Sequence, residues 1–221
     1  MSAAKRTAIL ISGRGSNMAS LVEAAGRTDY PAEIVGVFCN RADAAGLDHA
    51  RAAGLPTEVR PHRDYPSREA FDAAIGEVFD TWGAEIVCLA GFMRMFSAGF
   101  AERWAGRMLN VHPSLLPAFP GLEPQRQALA AGVTITGATV HFVTPEIDAG
   151  PAVIQAAVPV AVTDTPETLA ARILAAEHAI YPKALEWLAA GRVRLENGTV
   201  VRDPALAAEP FPPAVWPPLQ G

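Results

Sequence analysis

Cysteine is scarce: the chain has two in 221 residues, Cys39 and Cys88, with no CxxC or CxxH spacing. That excludes a disulfide framework and a cysteine-built zinc site, and each thiol reads as a small buried apolar group ending a strand-like run. No run of about 18 apolar residues occurs, so no membrane-spanning helix is expected. The opening MSAAKRTAILISGRGSN offers only five residues of apolar run before glycine. That is too short for a secretory core, and a cytoplasmic location is expected. Positive charge is not in excess either. The 18 Lys and Arg are scattered among 23 Asp and Glu, for a net charge of −5. Without a basic face, nucleic-acid partners are excluded and small-molecule ones are expected. Internal repeats and domain linkers are also absent.

What is present is an ordinary globular composition, 50% hydrophobic and 19% charged. The length suits one domain over 1–221, with a core over about 7–191 and an extended proline-rich tail over about 203–221. Apolar runs at 7–11, 33–38, 86–90 and 108–111 predict strands. Between the first three, helices are predicted at 17–25, 44–53 and 67–82, the last led by a Ser67 cap. Strands alternating with helices predict an α/β fold, with a Rossmann-like, mostly parallel sheet and helices on both faces. After 111 the rhythm changes. Residues 112–121 hold three prolines and are predicted irregular, while 136–143 and 152–160 read as antiparallel strands joined through 145–150. A long helix is predicted at 167–190 with a kink at Pro182, then a hairpin turning on Asn197-Gly198.

Chemistry concentrates at three places. The first strand runs through Ser12-Gly13-Arg14-Gly15-Ser16-Asn17 into a helix. This turn reads either as a tight connection capped by Ser16 or Asn17, or as a cradle whose helix N–H groups hold a phosphomonoester. It lacks the third glycine of a dinucleotide fingerprint and the GK[ST] of a triphosphate loop. Asn110 and His112 lie two apart at the carboxyl end of a strand, the edge where α/β sheets bind ligands. Asp148, in Ile147-Asp148-Ala149-Gly150, reads either as an Asx turn or as a partner for His112. Periodicity does not decide between them.

The segments SGRGSN, AGFMR, LNVHPSLLPAFPG, QALAAG, TGATVHFVTPEIDAGPAVIQ and AAEHAIYP together resemble the phosphoribosylglycinamide formyltransferase family of purine (IMP) synthesis, over about 7–191. The resemblance implies formyl transfer from 10-formyltetrahydrofolate to the amine of glycinamide ribonucleotide, with no metal, by a monomer or homodimer. It implies that Asn110, His112 and Asp148 are catalytic. Gly15, Ser16 and Asn17 would hold the phosphate and Glu177 the ribose hydroxyls. Met93, Arg94, Met95 and Phe96 would line the folate slot, their main-chain groups reading the pterin, with Arg68 and Arg94 meeting the folate's glutamate carboxylate. Thr144, Pro145, Glu146, Ile147 and Asp148 would form the loop over the pterin, where Asn110 also touches folate. In this reading the amine attacks the formyl carbon directly, Asn110 and protonated His112 donate to the new oxyanion, and Asp148 favours the charged imidazole. Ser114 and His141 are expected to support the site rather than react.

The loop at 121–127 departs from the family in lacking a His-rich stretch, and Pro124 is expected to stiffen it. Four alternatives have distinguishing marks. A formyltetrahydrofolate hydrolase is expected to add an N-terminal regulatory domain, and a methionyl-tRNA formyltransferase a basic RNA-binding domain. An amino-sugar formyltransferase should lack GRGSN together with Glu177. A non-catalytic folate- or phosphate-binding protein should have lost part of the trio, which is complete here.

Overall fold

In the computed structural model, which describes residues 3–207, seven strands form one sheet. They are β1 (Lys5–Ile11), β2 (Ala32–Cys39), β3 (Thr57–Val59), β4 (Ile86–Leu89), β5 (Met108–His112), β6 (Ile135–Phe142) and β7 (Ala152–Pro159). Their spatial order is β3-β2-β1-β4-β5-β6-β7. β1 to β5 pair in parallel, β6 adds antiparallel to β5, and β7 adds antiparallel to β6. The α/β expectation and its antiparallel C-terminal half are both met.

Parallel strands covered on two faces must be apolar at every position. Along β1, Ile9 and Ile11 join one core while Ala8 and Leu10 join the other. β4 repeats this, with Ile86 and Cys88 on the first side and Val87 and Leu89 on the second. The first core is closed by α1 (Ser16–Ala25), α2 (Gly46–Ala52) and α6 (Pro166–Ala189), the second by α3 (Arg68–Trp82) and α4 (Ala98–Arg103). Ser67 caps α3 as expected, its side chain accepting from the Ala70 N–H at 3.2 Å. α6 runs unbroken through Pro182, whose carbonyl accepts from the Tyr30 hydroxyl at 2.5 Å. The expected hairpin forms from β8 (Val193–Glu196) and β9 (Thr199–Arg202), with Asn197 and Gly198 both at positive φ.

Three short elements escape the sequence pattern: β3, α4 and α5 (Pro124–Ala130) have three, six and seven residues. Such lengths carry too little period to recognise. α5 corrects the reading of 121–127 as a stiffened loop. Pro124 opens a helix there, where its missing N–H costs nothing. The proline-rich tail lies outside the described residues beyond a short helical turn at Pro204–Ala207.

The order of strands decides where chemistry can sit. From β1 the chain moves outward to β2 and β3, then returns to β1's other side as β4 and β5. The crevice at such a switch point lies outside the strands' carboxyl ends. Here it is bordered by the ends of β1, β4 and β5. The buried Tyr181 hydroxyl of α6 reaches beneath it, 3.1 Å from the Leu89 carbonyl and 3.0 Å from that of Leu109. Tyr181→Phe removes the donor these two carbonyls share, and a loss of about 1–2 kcal/mol in unfolding free energy is expected by urea denaturation.

Candidate active site

At the β1 end of the crevice, Gly15 takes the left-handed conformation (φ 76) and opens α1 with no side-chain cap. Neither Ser16 nor Asn17 caps the helix. The first-turn N–H groups therefore face the loop without a capping oxygen, which suits an anion. A Cβ on Gly15 would come within 2.8 Å of the Gly46 Cα, so glycine is required by backbone contact as well as by φ. Asn17 turns its amide elsewhere, Nδ2 donating to Glu177 Oε2 of α6 at 2.6 Å. Asn17 Oδ1 is buried and has no partner among the described residues. Glu177 is only 5% exposed, and this burial pushes its carboxyl up to about 7 although Asn17 pulls the other way.

The β4 end carries the loop expected to meet folate. Met93 and Met95 are 73% and 44% exposed, large apolar groups facing solvent. Arg94 and Arg68 are exposed and have no ion-pair partner among the described residues. Phe96 is buried. Its ring is 7% exposed and stacks between Phe92 (5.5 Å between centroids) and Phe100 (4.8 Å), so its side chain belongs to the core and anchors the loop. Two unforeseen residues brace this segment. Ser12 Oγ accepts from the Met93 N–H at 3.0 Å, and Asp72 Oδ2 from the Ser97 N–H at 2.6 Å. Burial raises the Asp72 carboxyl above its usual range. The only trace of Asp72 in the sequence is an acid on the apolar face of α3.

β5 places Asn110 and His112 on one side of the sheet edge. The β6–β7 loop returns Asp148, itself at φ 50, so that its Oδ2 lies 3.3 Å from His112 Nδ1. That oxygen also accepts the Gly121 N–H at 2.8 Å. His112 Nε2 lies 3.0 Å from the Phe119 carbonyl, which only accepts, so Nε2 carries a hydrogen. His141 completes the cluster: its Nε2 is 3.2 Å from Asn110 Nδ2 and 3.8 Å from Asp148 Oδ1. Ser114 is fully buried, its hydroxyl donating to the Ala118 carbonyl at 2.6 Å, an arrangement that braces the HPSLLP loop and leaves no free nucleophile. Thr144 Oγ1 donates to the Glu146 carbonyl at 3.3 Å, and Pro145, Glu146 and Ile147 are exposed beside the cluster. The contacts of Phe119, Gly121 and His141 join segments up to 31 residues apart, and local pattern carries no sign of them.

A family model described as formyl transferase matches residues 5–185. The chain is 43% identical over 195 residues to the phosphoribosylglycinamide formyltransferase of Escherichia coli, covering 88% of this chain and 92% of that protein. It is 52% identical over 196 residues to the trifunctional purine biosynthetic protein adenosine-3 of Bos taurus, of which it spans only 19%. A crystal structure of glycinamide ribonucleotide transformylase 1 from Symbiobacterium toebii superposes with a TM-score of 0.87 at 47% identity, covering 90% of this chain and 94% of that one.

Glu177 makes stability depend on pH in a definite direction. An unfolded glutamate titrates near ~4.3, whereas Glu177 in the folded chain titrates at about 7. Between those values the folded state binds the extra proton, so its contribution is full below ~4.3 and is lost as pH rises through 7. Urea denaturation of the wild type and Glu177→Gln at about pH 5.5 and about pH 8 checks this. The wild type should lose more stability than the variant on going to the higher pH.

Proposed function

The chain belongs to the phosphoribosylglycinamide formyltransferase family, and from that premise we propose that it formylates the amine of glycinamide ribonucleotide with 10-formyltetrahydrofolate, in purine synthesis. A folate-derived formyl donor and small-molecule substrates follow from the family. The observation that carries the finer reading is the seating of Asp148 Oδ2 3.3 Å from His112 Nδ1, at the strand end that also presents Asn110.

Each part of the reaction has a residue suited to it. The uncapped first turn of α1, at Gly15, Ser16 and Asn17, receives the substrate phosphate. Glu177 and the unpartnered Asn17 Oδ1 accept hydrogen bonds from ribose hydroxyls. Exposed Met93, Met95 and Ile147 offer apolar surface to the flat pterin, while Arg94 and Arg68 are exposed cations for the glutamate tail. The amine attacks the formyl carbon, its C–N bond forms, and the carbonyl oxygen becomes an oxyanion. Asn110 donates an N–H to that oxygen. His112 adds a second by exchanging the Phe119 carbonyl for it. The bond to the folate nitrogen then breaks as the proton shed by the amine passes to that nitrogen, with Asp148 as its relay. Free buried thiols at Cys39 and Cys88 fit a reducing, cytoplasmic setting.

The test follows tetrahydrofolate release by absorbance with both substrates present. Release that requires glycinamide ribonucleotide is expected, whereas formyl loss equally fast without it would make the chain a hydrolase. Asn110→Ala and His112→Ala should each lower kcat by about two to three orders of magnitude. Full activity in His112→Ala would defeat the mechanism.

A further inference from the structure

Beside the trio lies a buried imidazole that the reaction as written does not use. His141 is 3% exposed, and each ring nitrogen has one hydrogen-bond neighbour, the Asp148 carboxyl lying farther from Nε2 at 3.8 Å. Nδ1 lies 2.9 Å from the Phe142 main-chain oxygen, which only accepts, so Nδ1 carries the hydrogen. Burial holds the ring neutral by pushing its proton affinity down, against the pull of Asp148 and with the push of His112. A neutral ring protonated at Nδ1 has a bare lone pair at Nε2. Nε2 faces the Asn110 side-chain amide at 3.2 Å. Only the Nδ2 end of that amide can face a lone pair, and its oxygen would be repelled.

We infer that His141 is a positioning residue for formyl transfer: by accepting one Asn110 N–H it fixes which way the amide points, and so aims the other N–H at the oxyanion. This rests on the catalytic part given above to Asn110. An Asn side chain otherwise has two amide orientations of similar energy, one of which would present its oxygen to the developing negative charge. Preorganisation of the donor is what makes such a hydrogen bond effective.

Gly150 secures the device from behind. A Cβ at that position would overlap the Phe142 carbonyl oxygen and come within 3.3 Å of His141 Nδ1. The glycine two residues after Asp148 therefore serves close approach. The Asp148-Ala149-Gly150 turn thus supports both halves of the centre. Its acid meets His112, and its glycine leaves room for the carbonyl that sets the His141 tautomer.

Two measurements test this. Nitrogen-15 NMR of histidine-labelled protein should show His141 as the Nδ1–H tautomer, with its Nε2 resonance moving in Asn110→Ala; an Nε2–H tautomer would overturn the proposal whatever the activity. In kinetics, His141→Leu should lower kcat by about tenfold to a hundredfold with little change in KM. It should cost nothing further in an Asn110→Ala background, because the two act as one unit. His141→Gln, whose side-chain oxygen can take the place of Nε2, should stay within a few-fold of wild type, and melting curves check that each variant is folded. Losses that multiply in a folded double variant, with an active wild type, overturn the role of His141 alone. A wild type that transfers no formyl group overturns the reading of function and this role with it, while the tautomer still reports the contact.

Discussion

Asp148 Oδ2 is shared between His112 Nδ1 and the Gly121 N–H, and the β6–β7 loop meets both ends of the 112–121 stretch at that single atom. A side-chain carboxyl taken out of water is tolerated only when polar partners compensate it. The β6–β7 loop, the HPSLLP loop and the end of β5 are thereby obliged to converge. The remainder of the crevice is arranged around that convergence. Phe119 turns its carbonyl onto the far side of the His112 ring from a left-handed backbone position, φ 55. Ser114 and Thr139 tie the same loop to β6, Thr139 Oγ1 donating to the Ser114 carbonyl at 2.7 Å.

The opposite wall depends on α6. Glu177 and Tyr181 are four residues apart and so lie on one face of that helix. One meets Asn17 at the start of α1, and the other meets the carbonyls of β4 and β5. A single helix thus joins the proposed sugar-phosphate end to the strands that present the folate loop and the trio. Its capping box, Thr165 with Thr168, holds its start. Burial of both side chains makes the helix intolerant of sliding, because any shift would separate two buried polar groups from their partners.

Much of this was legible in the sequence. Uninterrupted apolar runs at 7–11 and 86–90 revealed strands buried on both faces, and the two-residue spacing of Asn110 and His112 placed them together at a strand end. Asn197-Gly198 marked its turn through φ chemistry alone. Where the pattern ran out, the elements were short, as at β3 and α4, or the residue had two plausible uses. Phe96 is an example: it lies in a loop expected to read its ligand with main-chain groups, and its ring joins the Phe92–Phe100 stack. Pro124 is another, since a proline in a loop and a proline opening a helix share the same local sequence.

By itself the sequence determined the strand–helix alternation, the chemistry available at each strand end and, through the order of its motifs, the family. Those properties are local or near-local, set by residue type and by spacings of two to four. Only the tertiary structure decided the meeting of His112 with Asp148, of Asn17 with Glu177, and of Asn110 with the lone pair of His141. These pairs are separated by as many as 160 residues. Their contact follows from strand order and helix packing, and neither the identity of the side chains nor their spacing contains it.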